Sequence, residues 1–182
     1  MKKQRIWFLQ KPSPEFLELS PSVKSLIIEK QAQHQNQYVN NLNNIPIGEI
    51  ARFDSPINPC TTGSAVNDIF KANTDIQGIP VVENNIPVGL LMRNDFYSKL
   101  GTPYGVAVFM NRSIKLLMNN NPLIVDYDTS LAQVSNTAIN RREENLYDYI
   151  IITKNNKYYG ITTIKSLLEH ITQLEINTAK QL

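Results

Sequence analysis

The sequence contains one pattern twice, and this internal repeat constrains the fold more than any other feature. Residues 80–89, PVVENNIPVG, align without a gap with residues 151–160, IITKNNKYYG. In both copies an Asn-Asn pair stands between two short runs of strand-forming residues. Asparagine tolerates the positive φ angles that a tight hairpin turn requires. The sequence therefore predicts two equivalent β-hairpins.

An amphipathic segment precedes each hairpin. Residues 64–70, SAVNDIF, match residues 129–135, TSLAQVS, so that Val66 is expected to correspond to Leu131. The apolar residues in both segments follow helical spacing, which predicts one helix before each hairpin. Two short apolar stretches, IGEIA and IKLLM, stand before these helices, and we call them the first and second lead segments (residues 47–51 and 114–118).

Each copy is too small to bury both faces of its hairpin, so we expect the two copies to pack against each other. The first copy with its bridge is predicted to span residues 45–113, and the second residues 114–172. An N-terminal extension of residues 1–44 precedes them, and residues 173–182 extend the C-terminal helix.

The N-terminal extension combines a predicted helix with a polar linker. Ser20-Pro21 is a typical helix start, and apolar residues follow it at helical spacing. The next stretch, QAQHQNQYVNNLNN, is rich in amide side chains. We interpret it as a polar helix end that runs into a linker, with disorder as the alternative.

A glycine-led segment follows each hairpin, GLLMRND at residues 89–95 and GITTIKS at residues 160–166. Glycine permits close backbone approach, and the helix that follows offers free N–H groups and a positive dipole end to an anion. A Ser/Thr-x-x-Asp/Glu arrangement at the same place would instead cap the helix itself. Both interpretations are open for these segments.

With these elements the sequence resembles a tandem pair of CBS domains, the Bateman module, over roughly residues 45–171. The residues that carry the resemblance are the lead segments IGEIA and IKLLM, the hairpins GIPVVENNIPVGLL and DYIIITKNNKYYGIT, and the two glycine-led segments. The stretches IGEIARFDSPI, GTPYGVAVFMNRSIKLLM and LLEHITQLEINTA are also similar to CBS pairs that accompany bacterial EAL and GGDEF domains, which break down and make cyclic di-GMP.

The resemblance implies an α+β fold of two β-α-β-β-α repeats packed about a pseudo-twofold axis. It also implies two clefts between the repeats that often take adenosine-containing ligands. In the family motif Gly-h-h-Ser/Thr-x-x-Asp, the hydroxyl lies near phosphate and the aspartate binds the ribose hydroxyls. The implied ligands are AMP, ADP, ATP or S-adenosylmethionine, and no cofactor is required.

The residues implied for the first cleft are Ile79, Pro80, Gly89, Arg93 and Asp95. This copy keeps the carboxylate, while a methionine, which cannot donate a hydrogen bond to phosphate, stands at the hydroxyl position.

The residues implied for the second cleft are Tyr149, Ile151, Gly160, Thr163 and Lys165. This copy keeps the hydroxyl, while a serine, a weaker partner for a sugar diol, replaces the carboxylate. Each copy thus retains one half of the motif.

Composition excludes several other classes of function. The net charge of +2 gives no electrostatic case for nucleic acid or an anionic membrane. Cys60 is the only cysteine, and His34 and His170 lack partners at metal-ligand spacing, so no metal site is expected. No transmembrane run, signal peptide or catalytic motif is present, so we expect a cytoplasmic protein that is not an enzyme.

Two functional hypotheses follow. The first is a regulatory module that dimerises, in cyclic di-GMP type signalling, with EAL/GGDEF or other signalling proteins as partners. The second is a purely structural interaction domain without a small-molecule ligand. Ile164, Leu167, Ile171 and Leu174 form a two-heptad seam that could pair two chains, although core packing explains the first three equally well. The sequence leaves open whether the chain is free-standing or a fragment.

Overall fold

The computed structural model describes residues 20–180, so the predictions for residues 1–19 and 181–182 lie outside the described residues. The helices are α1 (Pro21–Asn44), α2 (Gly63–Ala72), α3 (Arg93–Leu100), α4 (Gly105–Phe109), α5 (Leu131–Ile139) and α6 (Ile164–Lys180). The strands are β1 (Gly78–Glu83), β2 (Ile86–Met92), β3 (Ile124–Asp126), β4 (Ile150–Lys154) and β5 (Lys157–Thr162). Single 3-10 turns span Ile47–Ile50, Ile114–Leu116 and Glu143–Asn145.

The strands form two small sheets, one in each repeat. β1 pairs antiparallel with β2, and Ile57 adds a single parallel bridge to Val81. In the second repeat β3 lies parallel to β4, which pairs antiparallel with β5. The predicted α+β class with two β-α-β-β-α repeats is confirmed, with the first strand of the first repeat reduced to the bridge at Ile57.

Both hairpins turn at their Asn-Asn pair, as predicted. Asn84 and Asn85 have φ angles of 52° and 66°, and Asn155 and Asn156 have 53° and 61°. These left-handed conformations match the twist of the flanking strands. Each hairpin also has an irregularity at the equivalent point, between Val81 and Val82 and between Ile152 and Thr153.

The helices before the hairpins align in a different register from the one that the sequence suggested. The side-chain oxygen of Thr62 caps α2, and that of Ser130 caps α5. Aligning these caps places Val66 opposite Val134, so the expected match of Val66 to Leu131 is wrong by three residues. Three residues are close to one helical turn, so either register keeps the apolar face buried.

The two lead segments are exchanged between the repeats. The N–H of Ile47, in the first lead segment, donates to the carbonyl oxygen of Thr129 in the second repeat at 2.8 Å. The N–H of Ile114, in the second lead segment, donates to the carbonyl oxygen of Thr61 in the first repeat at 2.9 Å. Each helix start is therefore hydrogen-bonded to the lead segment of the other copy.

The cores show the same exchange. One cluster combines the first repeat with the second lead segment: Val66, Phe70, Ile79, Val81, Leu91, Phe96, Ile114 and Leu117. The other combines the second repeat with the first lead segment: Ile47, Ile50, Leu131, Val134, Ala138, Ile150, Ile152 and Leu167. The boundary between residues 113 and 114 stays a prediction about the sequence repeat, because packing crosses it in both directions.

The N-terminal helix continues through the amide-rich stretch to Asn44 and packs against α5 and α6. Leu167 of the predicted seam is 2% exposed, and Ile164, Ile171 and Leu174 pack on the second core together with Leu42 of α1. The seam is therefore used inside the chain. No helix within residues 20–180 has the length and apolar character needed to cross a membrane.

Candidate functional site

The two motif glycines allow lead segments to approach the hairpins. A Cβ atom on Gly160 would lie 2.5 Å from the carbonyl oxygen of Arg52, just after the first lead segment. A Cβ atom on Gly89 would lie 2.6 Å from Sδ of Met118, at the end of the second lead segment. Both glycines are thus explained by close packing within the chain.

Arg93 binds the backbone rather than projecting into a cleft. Its guanidinium donates hydrogen bonds to the carbonyl oxygens of Ile76, Phe70 and Asn73, at and just beyond the end of α2. The guanidinium carbon of Arg93 also lies 4.6 Å from the centre of the Phe70 ring. These contacts satisfy carbonyl groups at the C-terminus of α2, and the positive charge of Arg93 interacts favourably with the helix dipole there. A phosphate group would have to compete with all of them.

The other residues implied for the first cleft differ in accessibility. Ile79 and Pro80 are buried in β1, and Ile79 belongs to the first core. Met92, at the missing hydroxyl position, packs against the cluster between the two hairpins. Asp95 is exposed on the first turn of α3, and its charge acts on Asp148 of the second repeat.

In the second glycine-led segment Thr163 caps its helix. Its hydroxyl oxygen accepts the backbone N–H of Ser166 at 3.1 Å, and the hydroxyl group donates to Ser166 Oγ at 3.1 Å. Lys165 points into solvent and forms an exposed pair with Glu169 at 3.7 Å. Of the two interpretations given for this segment, helix capping is therefore the one that its hydrogen bonds support.

Tyr149 fills the interface between the repeats. It is 3% exposed, and its hydroxyl oxygen accepts hydrogen bonds from the backbone N–H of Gln77 at 3.0 Å and from Arg52 at 3.1 Å. Its ring covers Gly78, where an added Cβ atom would lie 3.2 Å from Cδ2 of Tyr149. Ile151, fully buried, packs in the same inter-hairpin cluster.

The hairpin alignment makes Gly78 the counterpart of Tyr149 and Gln77 the counterpart of Asp148. The start of β1 is covered by the Tyr149 ring and Met92. The start of β4 instead borders an open cleft of about 680 Å³, which we call the Asp148 cleft. It is lined by Asn119, Asn121, Pro122, Leu123, Arg141, Arg142, Glu144, Asn145 and Asp148.

Asp148 is the buried acidic group of this cleft. It is 7% exposed, and its Oδ2 accepts a hydrogen bond from the Asn145 side chain at 2.9 Å. Burial raises the pKa of the Asp148 carboxyl and the charge of Asp95 adds to that rise, while the Asn145 bond and the charge of Arg141 oppose it. A partly desolvated carboxylate of this kind is a strong acceptor for ligand donors.

The two arginines of the cleft differ in how far their N–H groups are already hydrogen-bonded to the backbone. Arg141 donates four hydrogen bonds to the carbonyl oxygens of Ala138, Leu146 and Asp148, and burial lowers its pKa. The side chain of Arg142 is 86% exposed and pairs with Glu144 at 3.6 Å. Four of the five N–H groups of Arg141 are thus engaged by the backbone, whereas a ligand can reach the donors of Arg142 without breaking bonds to the backbone.

The Asp148 cleft was missed by sequence reasoning, although Tyr149 beside it was named. The hairpin alignment contained a signal that could have identified this cleft, because it places Asp148 directly before the strand-forming residues of the second hairpin. Of the predicted site residues, Asp95 acts on the cleft through its charge, which raises the pKa of Asp148, while Arg93 and Thr163 form hydrogen bonds at helix ends. Within residues 20–180 no group of three or more His, Cys, Asp or Glu side chains is arranged to hold a metal.

Comparison with protein families finds that residues 112–173 match the CBS domain model. This stretch covers the second predicted repeat. A comparison with curated proteins finds no match.

Solved structures share the fold over most of the chain. The CBS domain of a bacterial CNNM/CorC family Mg²⁺ transporter in complex with ATP has a TM-score of 0.60 and 14% identity, covering 78% of this chain and 97% of that chain. The CBS-pair protein CBSX2 from Arabidopsis thaliana has a TM-score of 0.60 and 16% identity, covering 74% and 99%. CBSX2 in complex with AMP has a TM-score of 0.57 and 17% identity, covering 72% and 98%. The chain therefore has the fold of a CBS pair.

Proposed function

We propose that this chain is a non-catalytic regulatory module that binds an adenosine nucleotide in the Asp148 cleft. The observation that carries the proposal is a cleft of about 680 Å³ that contains a buried acidic residue, Asp148, which is 7% exposed, and an arginine, Arg142, whose side chain is 86% exposed. Two proteins of the same fold have been solved with ATP and with AMP, which supports a nucleotide as the ligand.

This proposal moves the predicted site from the glycine-led motifs to the start of β4. In the proposed site Asp95 contributes its charge, which acts on Asp148. Tyr149 covers Gly78 at the start of β1, the position in the first repeat that corresponds to the cleft. Arg93 and Thr163 support helix ends, and Lys165 stays a peripheral cation.

The cleft wall connects directly to the other repeat. Asn119, which lines the cleft, exchanges two backbone hydrogen bonds with Leu90 of β2, at 2.8 and 3.0 Å. A ligand that binds one arrangement of the repeats more tightly shifts the population toward it, whereas equal binding to both shifts nothing. We propose that this shift is the output, read by an EAL/GGDEF or other signalling protein in a cyclic di-GMP type pathway.

Isothermal titration with AMP, ADP, ATP, S-adenosylmethionine and cyclic di-GMP tests the proposal. We expect binding of at least one adenosine compound, and a loss of about tenfold or more in Asp148→Asn, because a neutral amide accepts ligand donors more weakly. The exposed Asp68→Asn is the matched control and should bind normally. Absence of heat and of a thermal shift at millimolar concentrations of all five compounds would overturn the proposal.

A second candidate function is a ligand-free dimerisation domain. The observation that favours it is the exposure of three large apolar side chains on the bridge, Tyr104, Val106 and Val108. It predicts a dimer by light scattering without ligand, which Val106→Asp together with Val108→Asp disrupts. A monomer at every concentration tested would contradict it.

A further inference from the structure

Two tyrosine rings form a corner beside the turn of the second hairpin, and we call it the tyrosine corner (Tyr127 and Tyr159). The ring centres lie 5.1 Å apart, and the ring planes meet at 88°. Tyr127 follows β3, and its backbone N–H donates to the carbonyl oxygen of Thr153 at 2.7 Å. Its ring covers Gly48 of the first lead segment, where an added Cβ atom would overlap with it. The corner is therefore held in place by β4 and by the first lead segment.

An ammonium group already occupies the tyrosine corner. Nζ of Lys154, the last residue of β4, lies 4.0 Å from the centre of the Tyr127 ring and 5.7 Å from that of Tyr159. A cation at such distances is attracted by the negative face of the ring. Lys154 makes no ion pair and no side-chain hydrogen bond within residues 20–180. The two rings are thus the partners of this ammonium group in the described part of the chain.

The fold does not require the tyrosine corner. The hairpin alignment makes Glu83 the counterpart of Lys154 and Val88 the counterpart of Tyr159. The first hairpin forms the same Asn-Asn turn with these different residues. The corner is also separate from the Asp148 cleft, because Lys154 ends β4 and Asp148 precedes its start, and six residues of extended chain span about 20 Å.

The charges around the corner favour a cation without fixing Lys154 there. Asp126 and Asp128 stand on either side of Tyr127 in the sequence, both are exposed, and neither forms an ion pair with another described residue. Lys157 is paired with Lys154 in the strand register, so two like charges face each other across the hairpin. An exposed cation–π contact is weak. Lys154 can therefore exchange the corner for solvent at little cost.

A methylated ammonium group matches the corner better than a lysine does. The ammonium group of lysine has three N–H donors and is strongly hydrated, and a ring face replaces that hydration poorly. A quaternary ammonium group has no N–H donor, and aromatic cages are a common site for such groups in proteins. From these contacts we infer that the tyrosine corner is a binding site for a small methylated ammonium compound, and that Lys154 is the resident competitor that this ligand displaces.

Titration of the full chain with tetramethylammonium chloride, followed by NMR of the side chains, tests the inference. In the free chain the ring currents should shift the ε-methylene protons of Lys154 away from the position of those of Lys157. Tetramethylammonium should perturb the Tyr127 and Tyr159 rings and return the Lys154 signal toward that of Lys157. Potassium chloride at the same ionic strength and 2,2-dimethylpropanol, a neutral molecule of similar shape, should do neither.

Lys154→Ala removes the competitor and should strengthen tetramethylammonium binding about two- to fivefold, the factor that corresponds to one exposed cation–π contact. Lys157→Ala is the matched control, because it removes the same charge from the facing position of the hairpin. It should strengthen binding less, since it acts through charge alone.

Tyr159→Leu removes one wall of the corner and should weaken binding about fivefold or more, whereas Tyr159→Phe keeps a ring face and should preserve binding. Tyr159 is 41% exposed, so we expect both variants to fold, which circular dichroism checks.

Three results would overturn the inference. The first is an equal gain in Lys154→Ala and Lys157→Ala, which would show a general effect of charge. The second is binding that a folded Tyr159→Leu leaves unchanged. The third is the absence of binding to Lys154→Ala, which would make the corner only a contact that stabilises the hairpin. None of these results depends on nucleotide binding in the Asp148 cleft.

Discussion

The Tyr149 hydroxyl lies 3.1 Å from a guanidinium nitrogen of Arg52, although 97 positions separate the two residues. Arg52 follows the first lead segment, and Tyr149 stands at the start of the second hairpin. The guanidinium carbon also lies 5.4 Å from the centre of the Tyr149 ring. This contact joins the two repeats. It holds the Tyr149 ring over the start of β1, the position that corresponds to the open cleft at the start of β4.

Tyr149→Phe should lower the free energy of unfolding by about 1–2 kcal/mol, because the Gln77 N–H and Arg52 lose an acceptor in a partly buried position. Urea denaturation measures the change. Tyr147→Phe removes a hydroxyl from a residue that is 75% exposed and should leave stability within about 0.5 kcal/mol. Equal effects of the two substitutions would show that the Tyr149 hydroxyl bonds contribute nothing.

Arg93→Lys should destabilise the chain by about 1–3 kcal/mol, because an ammonium group cannot reproduce the three-carbonyl contact of the guanidinium. Nucleotide affinity should not change if the site is the Asp148 cleft. Thermal unfolding and titration of the same preparation measure both quantities. Normal stability together with weakened nucleotide binding would instead indicate that Arg93 contacts the ligand.

Two neighbouring threonines should respond to valine with opposite signs. The Thr162 hydroxyl is buried without a hydrogen-bond partner in the described part of the chain, so Thr162→Val should stabilise by about 1 kcal/mol. Thr163→Val removes the cap of α6 and should destabilise by about 0.5–2 kcal/mol. Urea midpoints of the two variants provide mutual controls. A loss of stability in Thr162→Val would indicate a partner for that hydroxyl.

Asp148 should make stability depend on pH. Burial raises the pKa of its carboxyl above the ordinary value of 3.8, so the native chain holds this proton more tightly than the unfolded chain. The stability contributed by the proton is present below the unfolded pKa and is lost as pH rises through the native pKa. The stability of Asp148→Asn relative to the unmodified chain should therefore increase from pH 3 to pH 7.

The measurement for this prediction is urea denaturation of both chains across that range of pH, with the exposed Asp68→Asn as the control that should follow the unmodified chain. A stability difference between Asp148→Asn and the unmodified chain that is constant or falls toward pH 7 would contradict the raised pKa. The same denaturation curves show whether the variant is folded at pH 7, which separates a loss of nucleotide affinity from a loss of structure.

The hairpins and the fold class could be predicted because their signals are local or repeated. An Asn-Asn turn determines its backbone conformation within a few residues, and the ungapped match shows that the unit occurs twice. The helix register could not be determined in the same way, since a shift of about one turn preserves the apolar face of α2 and α5.

The exchange of the lead segments was hidden because IGEIA and IKLLM carry the same apolar spacing. The spacing therefore does not show which core each segment joins. The candidate site depended on similar long-range choices. Arg93 stands beside a ligand motif in sequence, yet the carbonyl groups that it binds are 17 to 23 positions away.

The exchanged lead segments also impose an order on biosynthesis. Ile114 and Leu117 complete the core of the first repeat, and they leave the ribosome after every other residue of that cluster. Ile47 and Ile50 have by then already been made, although their core is finished only by Leu167. The first core can therefore close once residue 117 has emerged, whereas Ile47 and Ile50 wait for Leu167, so the two cores should form one after the other during translation.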